Sequence, residues 1–277
     1  MIKIQFTPLL LCFGASVWLG FSAPASAHDF WIAPGSYSAK TGEKTDLSIM
    51  VGHPEDQTSW AISPHRVVSL RSVGPEGVTD HQSSITGSDT KQPMSVAFNN
   101  AGVHVLTIET TSAFSELEAE KFKDYIEEEG LTPIQMDRVS KRKMSEPGTE
   151  IYSRRGKAIV NVGELGESDP SYVTSPQGLT LEVVPTTNPI RLKDGESLLA
   201  HIYYRGQAMP GVNVKLVSLD TDKGRVASQK SDSDGKVSFP KPESGDWMLH
   251  AVWSDPMEDT SRADYDTIFS SLSFSIN

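Results

Sequence analysis

Cysteine is almost absent from this 277-residue sequence: Cys12 is the sole example, and it lies in the opening segment. The remainder can form no disulfide and offers no thiolate, so a metal would have to be held by nitrogen, oxygen or thioether sulfur. Positive charge is also scarce. There are 25 Lys and Arg against 36 Asp and Glu, a formal net charge of −11. A chain of that sign is a poor partner for nucleic acid or an anionic membrane surface. The sequence has no G-x-S-x-G, no H-E-x-x-H and no P-loop, so the common hydrolase and nucleotide signatures are missing. Its methionines are scattered without M-x-x-M spacing, which speaks against a dedicated copper(I) carrier. Long hydrophobic runs are lacking too. Leu9 to Phe21 is apolar but shorter than the about 20 residues a membrane span needs.

What is present begins with a leader. Lys3 supplies a basic start, Leu9 to Phe21 an apolar centre, and Ala25 and Ala27 the two small residues of an A-x-A cleavage site. Leu11 precedes Cys12 where a lipoprotein would have a small residue, so a lipid anchor is set aside. Residues 1–27 therefore read as a signal peptide, which places the rest in the periplasm with no membrane insertion after cleavage. Cleavage after Ala27 would make His28 the first residue, with a free amine beside its imidazole.

Beyond the leader the chain reads as mainly β. In "KTDLSIMVGH" Leu47, Ile49 and Val51 alternate on one face, the period of a half-buried strand. "HRVVSLRSV", "MSVAFNNAGVHVLTIET" and "GKAIVNVG" are similar runs separated by Gly, Pro and Asn. One amphipathic helix is expected near 115–129. Ser115 and Glu118 have the spacing of a capping box, and Ala119, Phe122, Tyr125 and Ile126 share a face that Gly130 would end. The basic stretch "RVSKRKMSEPGTE" after it reads as a loop. From Gly178 onward six short β-rich runs, "GLTLEVVP" to "SSLSFSIN", suit a second small sandwich. The expected architecture is two immunoglobulin-like or transthyretin-like β-sandwich units, residues 28–177 with the inserted helix and residues 178–277.

The chemistry worth weighing centres on histidine. A first-residue His28 can chelate one ion through its amine and Nδ1, and a second histidine completes a three-nitrogen brace suited to copper(II) or nickel. His53, in "VGHPED", sits at the end of a strand before a turn and is the leading second ligand. His104, in "GVHVLTI", follows, and His250, in "WMLHAVW", comes third. His65 and His81 lie in polar surroundings and read as solvated; His201 reads as a hydrogen-bonded sheet residue. "DTD" at Asp220 and "DSDG" at Asp232 resemble the start of a calcium loop but lack its remaining ligands, so turn chemistry explains them.

The order of "HDFWIAP", "VGH", "KFKDYIEEEGL", "EIYSRRGKAIVNVG", "GLTLEVVPTTNP", "GQAMPGVNVKLVS" and "SDSDGKVSFPKPESGDWML" resembles a domain-of-unknown-function family of bacterial periplasmic proteins linked with nickel and cobalt uptake. The resemblance runs through nearly all of the chain after the leader. It implies a two-part secreted β protein that takes a transition metal. His28 matches the family's histidine directly after the signal, and His53 a position where histidine is frequent. His104 stands where an aromatic is more usual, and Arg155 and Gly156 depart from an aromatic-containing form. Glu150, Tyr152, Arg154 and Lys157 of "EIYSRRGKA" look like an internal ion-pair and hydrogen-bond network.

The expectation is a periplasmic binding protein, not an enzyme. It would take nickel or cobalt, with copper as alternative, at His28, His53 and His104, and deliver the ion to a membrane metal transporter. Two other classes fit the same sequence: a histidine-brace copper oxidase acting on polysaccharide, and an envelope adaptor that holds no metal.

Overall fold

The computed structural model describes residues 29–85, 94–220 and 223–277. Residues 1–28, which hold the expected leader and His28, lie outside the described residues. Among those described, strands form three sheets, the largest of them ten-stranded. Its spine is a parallel pair. Gly148–Val162 runs beside Tyr265–Ile276, with Glu150 opposite Tyr265 and Ala158 opposite Ser273. Gly102–Thr110 then extends the sheet to one side, and Gly245–Pro256 and Asn213–Ser218 to the other. This central sheet runs without a break across residue 178, where the second set of strands begins.

Alternation along these strands sends side chains to two cores on opposite faces. Val103, Val105, Ile159, Leu249, Leu272 and Phe274 face the sheet that contains Leu181–Pro185 and Ser197–Tyr204. Leu106, Ile108, Ala158, Val160 and Val162 face the other sheet, which contains Phe30–Pro34 and Lys44–Val51. The protein is mainly β, and its two sandwiches share the central sheet as their common wall. The six β-rich runs expected after Gly178 all form strands.

The helical region differs from expectation. There are two helices, α1 (Ala119–Glu128) and α2 (Thr132–Ser140). The capping box fails: Ser115 lies in the strand Ala113–Leu117, opposite Glu150, and Glu118 is the residue before the helix. The sheet ladder claims Ser115's backbone before a helix can use it. Phe122, Tyr125 and Ile126 do form the buried face, packed against Val252, Tyr265 and Phe269. Gly130 follows the end of α1 at φ +67, a left-handed conformation that glycine adopts without strain. The expected basic loop is partly helix. Arg138 is 1 % exposed, lies 4.8 Å from the Phe122 ring, and donates to the carbonyls of Lys143 and Glu146. Its charge hid a core position.

One ion pair ties the central sheet to the sheet on its second face. Lys157 Nζ lies 2.8 Å from Glu182 Oε1, and the two side chains are 2 % and 1 % exposed. Glu182 also accepts from the backbone N–H groups of Gln177, Gly178 and Leu179 at 2.6, 3.1 and 3.1 Å. Lys157→Met, which strands that carboxylate, is expected to lose about 3–5 kcal/mol in urea unfolding. Lys157→Met with Glu182→Gln should recover part of it, because Gln still accepts the N–H bonds without a charge. A single-variant loss under about 1 kcal/mol would show that the pair is not what ties the layers.

Candidate functional site

The start of the described chain meets a cleft. Phe30–Pro34 pairs antiparallel with Lys44–Val51, and Phe30 stands opposite Val51. This places Asp29 beside the turn that leaves the second strand, where Gly52 N–H donates to the Asp29 carbonyl at 3.1 Å. Gly52 has φ +114, and a Cβ there would come within 3.0 Å of Gln57 Cα. Only glycine fits both demands. His53 follows as the residue before a short 3-10 turn, Pro54–Asp56, and its N–H donates to Asp56 Oδ1 at 2.8 Å. The turn aims the ring back, so that His53 Nδ1 lies 3.9 Å from Asp29 Oδ2.

The central sheet supplies the floor. Lys215 and His250 are register partners on adjacent strands. His250 is 1 % exposed, its ring stacked on Phe269 at 6.4 Å, and its Nδ1 lies 3.1 Å from Asp29 Oδ1. The end of α1 closes the far side. Lys215 Nζ meets Glu129 Oε1 at 2.6 Å and Glu128 Oε1 at 3.6 Å, and Arg225 meets Glu128 at 2.7 Å. Asp29, His53, Glu55, Glu128, Lys215 and Arg225 line a cleft of about 120 Å³. That is room for a hydrated ion or a small polar group.

The electrostatics follow from the packing. Burial would raise the Asp29 pKa, but His250, His53 and Lys215 together pull it down to about 2. The carboxylate beside it raises His53, against the effect of burial. His250 moves the other way: burial lowers it more than Asp29 and Glu129 raise it, and Lys215 adds to the lowering. At neutral pH the cleft therefore offers an ionised carboxylate, backed by the buried His250 ring.

These residues fit a transition metal by donor type. Asp29 Oδ1 and His250 Nδ1 face each other at 3.1 Å, and His250 Nε2 is buried with no hydrogen-bond partner among the described residues. Imidazole nitrogen with carboxylate oxygen suits late first-row divalent ions. Among the described residues no three His, Cys, Asp or Glu side chains are arranged to hold an ion by themselves. His28, the residue immediately before Asp29, lies outside the described set.

Of the sequence candidates, His53 lines the cleft, and His250 is buried behind it against Asp29. His104 is not among the cleft's lining residues. Its ring packs on Phe98 at 4.8 Å, and its Nε2 lies 2.9 Å from the Asn100 carbonyl. Gly74 makes room for it, since a Cβ there would come within 2.4 Å of the ring. His81, expected to be solvated, is 7 % exposed, with Nε2 2.8 Å from Ser72 Oγ. Burial between the strand Val67–Gly74 and Phe98 replaces water there. Sequence reading missed Asp29, Lys215, Glu128, Glu129 and Arg225. For Asp29 the signal was its place directly after His28; the others are brought in only by the fold.

The fold and the cleft define a β-sandwich protein with a small polar site at the start of its first strand. The chain belongs to the family described as Domain of unknown function (DUF4198), whose model matches residues 25–255. No match was found among curated proteins. Among solved structures, the D0-D1 domain of intimin is 11% identical over 88% of this chain and 97% of that one, with a TM-score of 0.22. The fibronectin(III)-like modules of Clostridium thermocellum CbhA are 10% identical over 89% and 94%, with a TM-score of 0.21. Native alpha-2-macroglobulin from Escherichia coli, spanning domains MG0-NIE-MG1, is 11% identical over 87% and 63%, with a TM-score of 0.20. Likenesses at those scores carry no functional argument.

The Asp29 pKa sets an acid limit. A carboxylate held near 2 in the fold, against 3.8 ordinarily, stabilises the folded state above about pH 4. That contribution, about 2 kcal/mol, is lost as pH falls toward 2. Stability measured by urea unfolding from pH 6 to 2 should fall across that window for the native protein. Asp29→Asn should flatten that part of the profile; an unchanged slope would contradict the assigned pKa.

Proposed function

We propose that the protein is a periplasmic binding protein that captures a divalent transition metal, nickel or cobalt, with copper as the alternative ion, and passes it to a membrane transporter. The supporting observation is that Asp29, the residue after His28, lies within 4 Å of both His53, at the small polar cleft, and the buried His250 behind it. In this reading His28 supplies amine and imidazole nitrogens once the leader is removed, and His53 a further nitrogen. His250 takes the place first given to His104, because its ring is beside Asp29 whereas the described contacts of His104 lie elsewhere. Asp29 is the nearest carboxylate, and Lys215 and Arg225 limit the charge that collects around the ion. The metal is cargo and no reaction is assigned, so the reading is of a carrier rather than an enzyme. Among the described residues no helix is long and apolar enough to cross a membrane.

The test is calorimetric titration with nickel, cobalt and copper of protein beginning at His28. Versions with one extra N-terminal alanine, with His53→Ala and with His104→Ala are run beside it. One-to-one binding that weakens about 100-fold on extension and about 10- to 100-fold in His53→Ala, with His104→Ala near native, is the expected result. Equal binding by the native and extended forms would remove the His28 amine from the site and return the adaptor reading to the lead.

A further inference from the structure

Two arginines converge on one tryptophan without a counter-charge. The Arg154 guanidinium lies 5.2 Å from the Trp60 ring centre and that of Arg66 lies 6.0 Å from it. Arg154 is also 4.7 Å from the Tyr152 ring, 5.4 Å from Phe269 and 5.8 Å from Phe30. It is 8 % exposed. The Nε atoms of both arginines are buried and have no hydrogen-bond partner among the described residues. Arg155 pairs with Glu109 at 3.3 Å and Arg191 with Asp169 at 2.9 Å, but neither Arg154 nor Arg66 forms an ion pair with a described residue.

In a chain with net charge −11, leaving two guanidinium groups unpaired at one ring is a departure that calls for a cause. Arg154 acts on the buried carboxyl of Glu150, whose pKa it lowers. That carboxyl is already engaged, accepting from Thr267 Oγ1 at 2.6 Å and Tyr125 Oη at 3.2 Å, and burial raises its pKa to about 7. It is a weak counter-ion at neutral pH. Aromatic faces offset part of the cost of burying a guanidinium, through attraction to the ring's negative face. They cannot accept its in-plane N–H donors, which remain unspent. A fork of such donors matches the two oxygens of a carboxylate. The surrounding rings would meet the apolar body of an organic acid and offer nothing to the extra oxygens of phosphate.

We propose that Arg154 and Arg66, gathered around Trp60, form a binding site for a small organic carboxylate, distinct from the Asp29 cleft. The site needs no metal, so it stands or falls apart from the carrier reading. Phe30, one of its rings, directly follows Asp29, so the two sites share the beginning of one strand.

The experiment uses metal-free protein beginning at His28, titrated with benzoate, succinate and inorganic phosphate by calorimetry and tryptophan fluorescence. The expected result is saturable one-to-one binding of a carboxylate probe with a change in tryptophan emission. Arg154→Lys should weaken it by about tenfold, because a point charge cannot reproduce the fork. Arg66→Gln should weaken it several-fold, and Trp60→Phe should remove most of the emission change. The proposal is overturned if neither carboxylate binds saturably by about 10 mM, if phosphate alone binds, or if Arg154→Lys binds as well as the native protein. Should Arg154→Lys not fold, Arg66→Gln decides: native-strength binding in that variant overturns the two-arginine site.

Discussion

The buried pair of Lys157 and Glu182 is the constraint on which the layered architecture rests. A charge removed from water is tolerated only when its partner and its remaining hydrogen-bonding capacity are met. Here a lysine on the spine of the central sheet is met by a glutamate on the facing sheet, and that glutamate also gathers three successive backbone N–H groups. The turn at residues 177–179 is thereby fixed to the sheet it leaves. With that turn in place, the strands after residue 178 rejoin the sheet begun before it, through the parallel pairing of Gly148–Val162 with Tyr265–Ile276.

A second buried pair performs the same task near the cleft. Lys215 and Glu129 are each 2 % exposed and lie 2.6 Å apart. They join the end of α1 to the central sheet. The helix end is positioned further where Gly130 meets Asn213, whose side chain a Cβ at 130 would approach to 2.9 Å. The cleft is therefore bounded by three elements that cannot drift independently: the turn after Lys44–Val51, the strand of Lys215, and the end of α1. Asp29 enters this frame as an anion among cations and imidazoles, and its lowered pKa is the electrostatic record of that placement.

Much of the fold was legible in the sequence. The alternation of Leu47, Ile49 and Val51 marks a strand because side chains repeat every two residues. Phe122, Tyr125 and Ile126 mark the buried face of α1 by helical spacing. The errors have local causes. Ser115 had the right spacing for a cap, but a neighbouring strand took its backbone. Arg138 looked like a solvated charge, and the backbone carbonyls that satisfy it are made available only by the fold. Part of the cleft was legible as well: His53 stood out as a histidine at a strand end. His104 and His250 had equivalent local patterns, and only contacts across strands separate them.

By itself the sequence determined the β-rich class, the acidic balance and the near-absence of thiols, because composition, periodicity and short-range spacing are properties of the chain alone. The tertiary structure decided which histidine faces Asp29, which charges are paired, and which arginines are left without a counter-ion. Those outcomes depend on register and on the packing of residues separated along the chain, by 25 positions for Lys157 and Glu182 and by 86 for Glu129 and Lys215. His250 and Asp29 are 3.1 Å apart in space, and no local pattern encodes that distance.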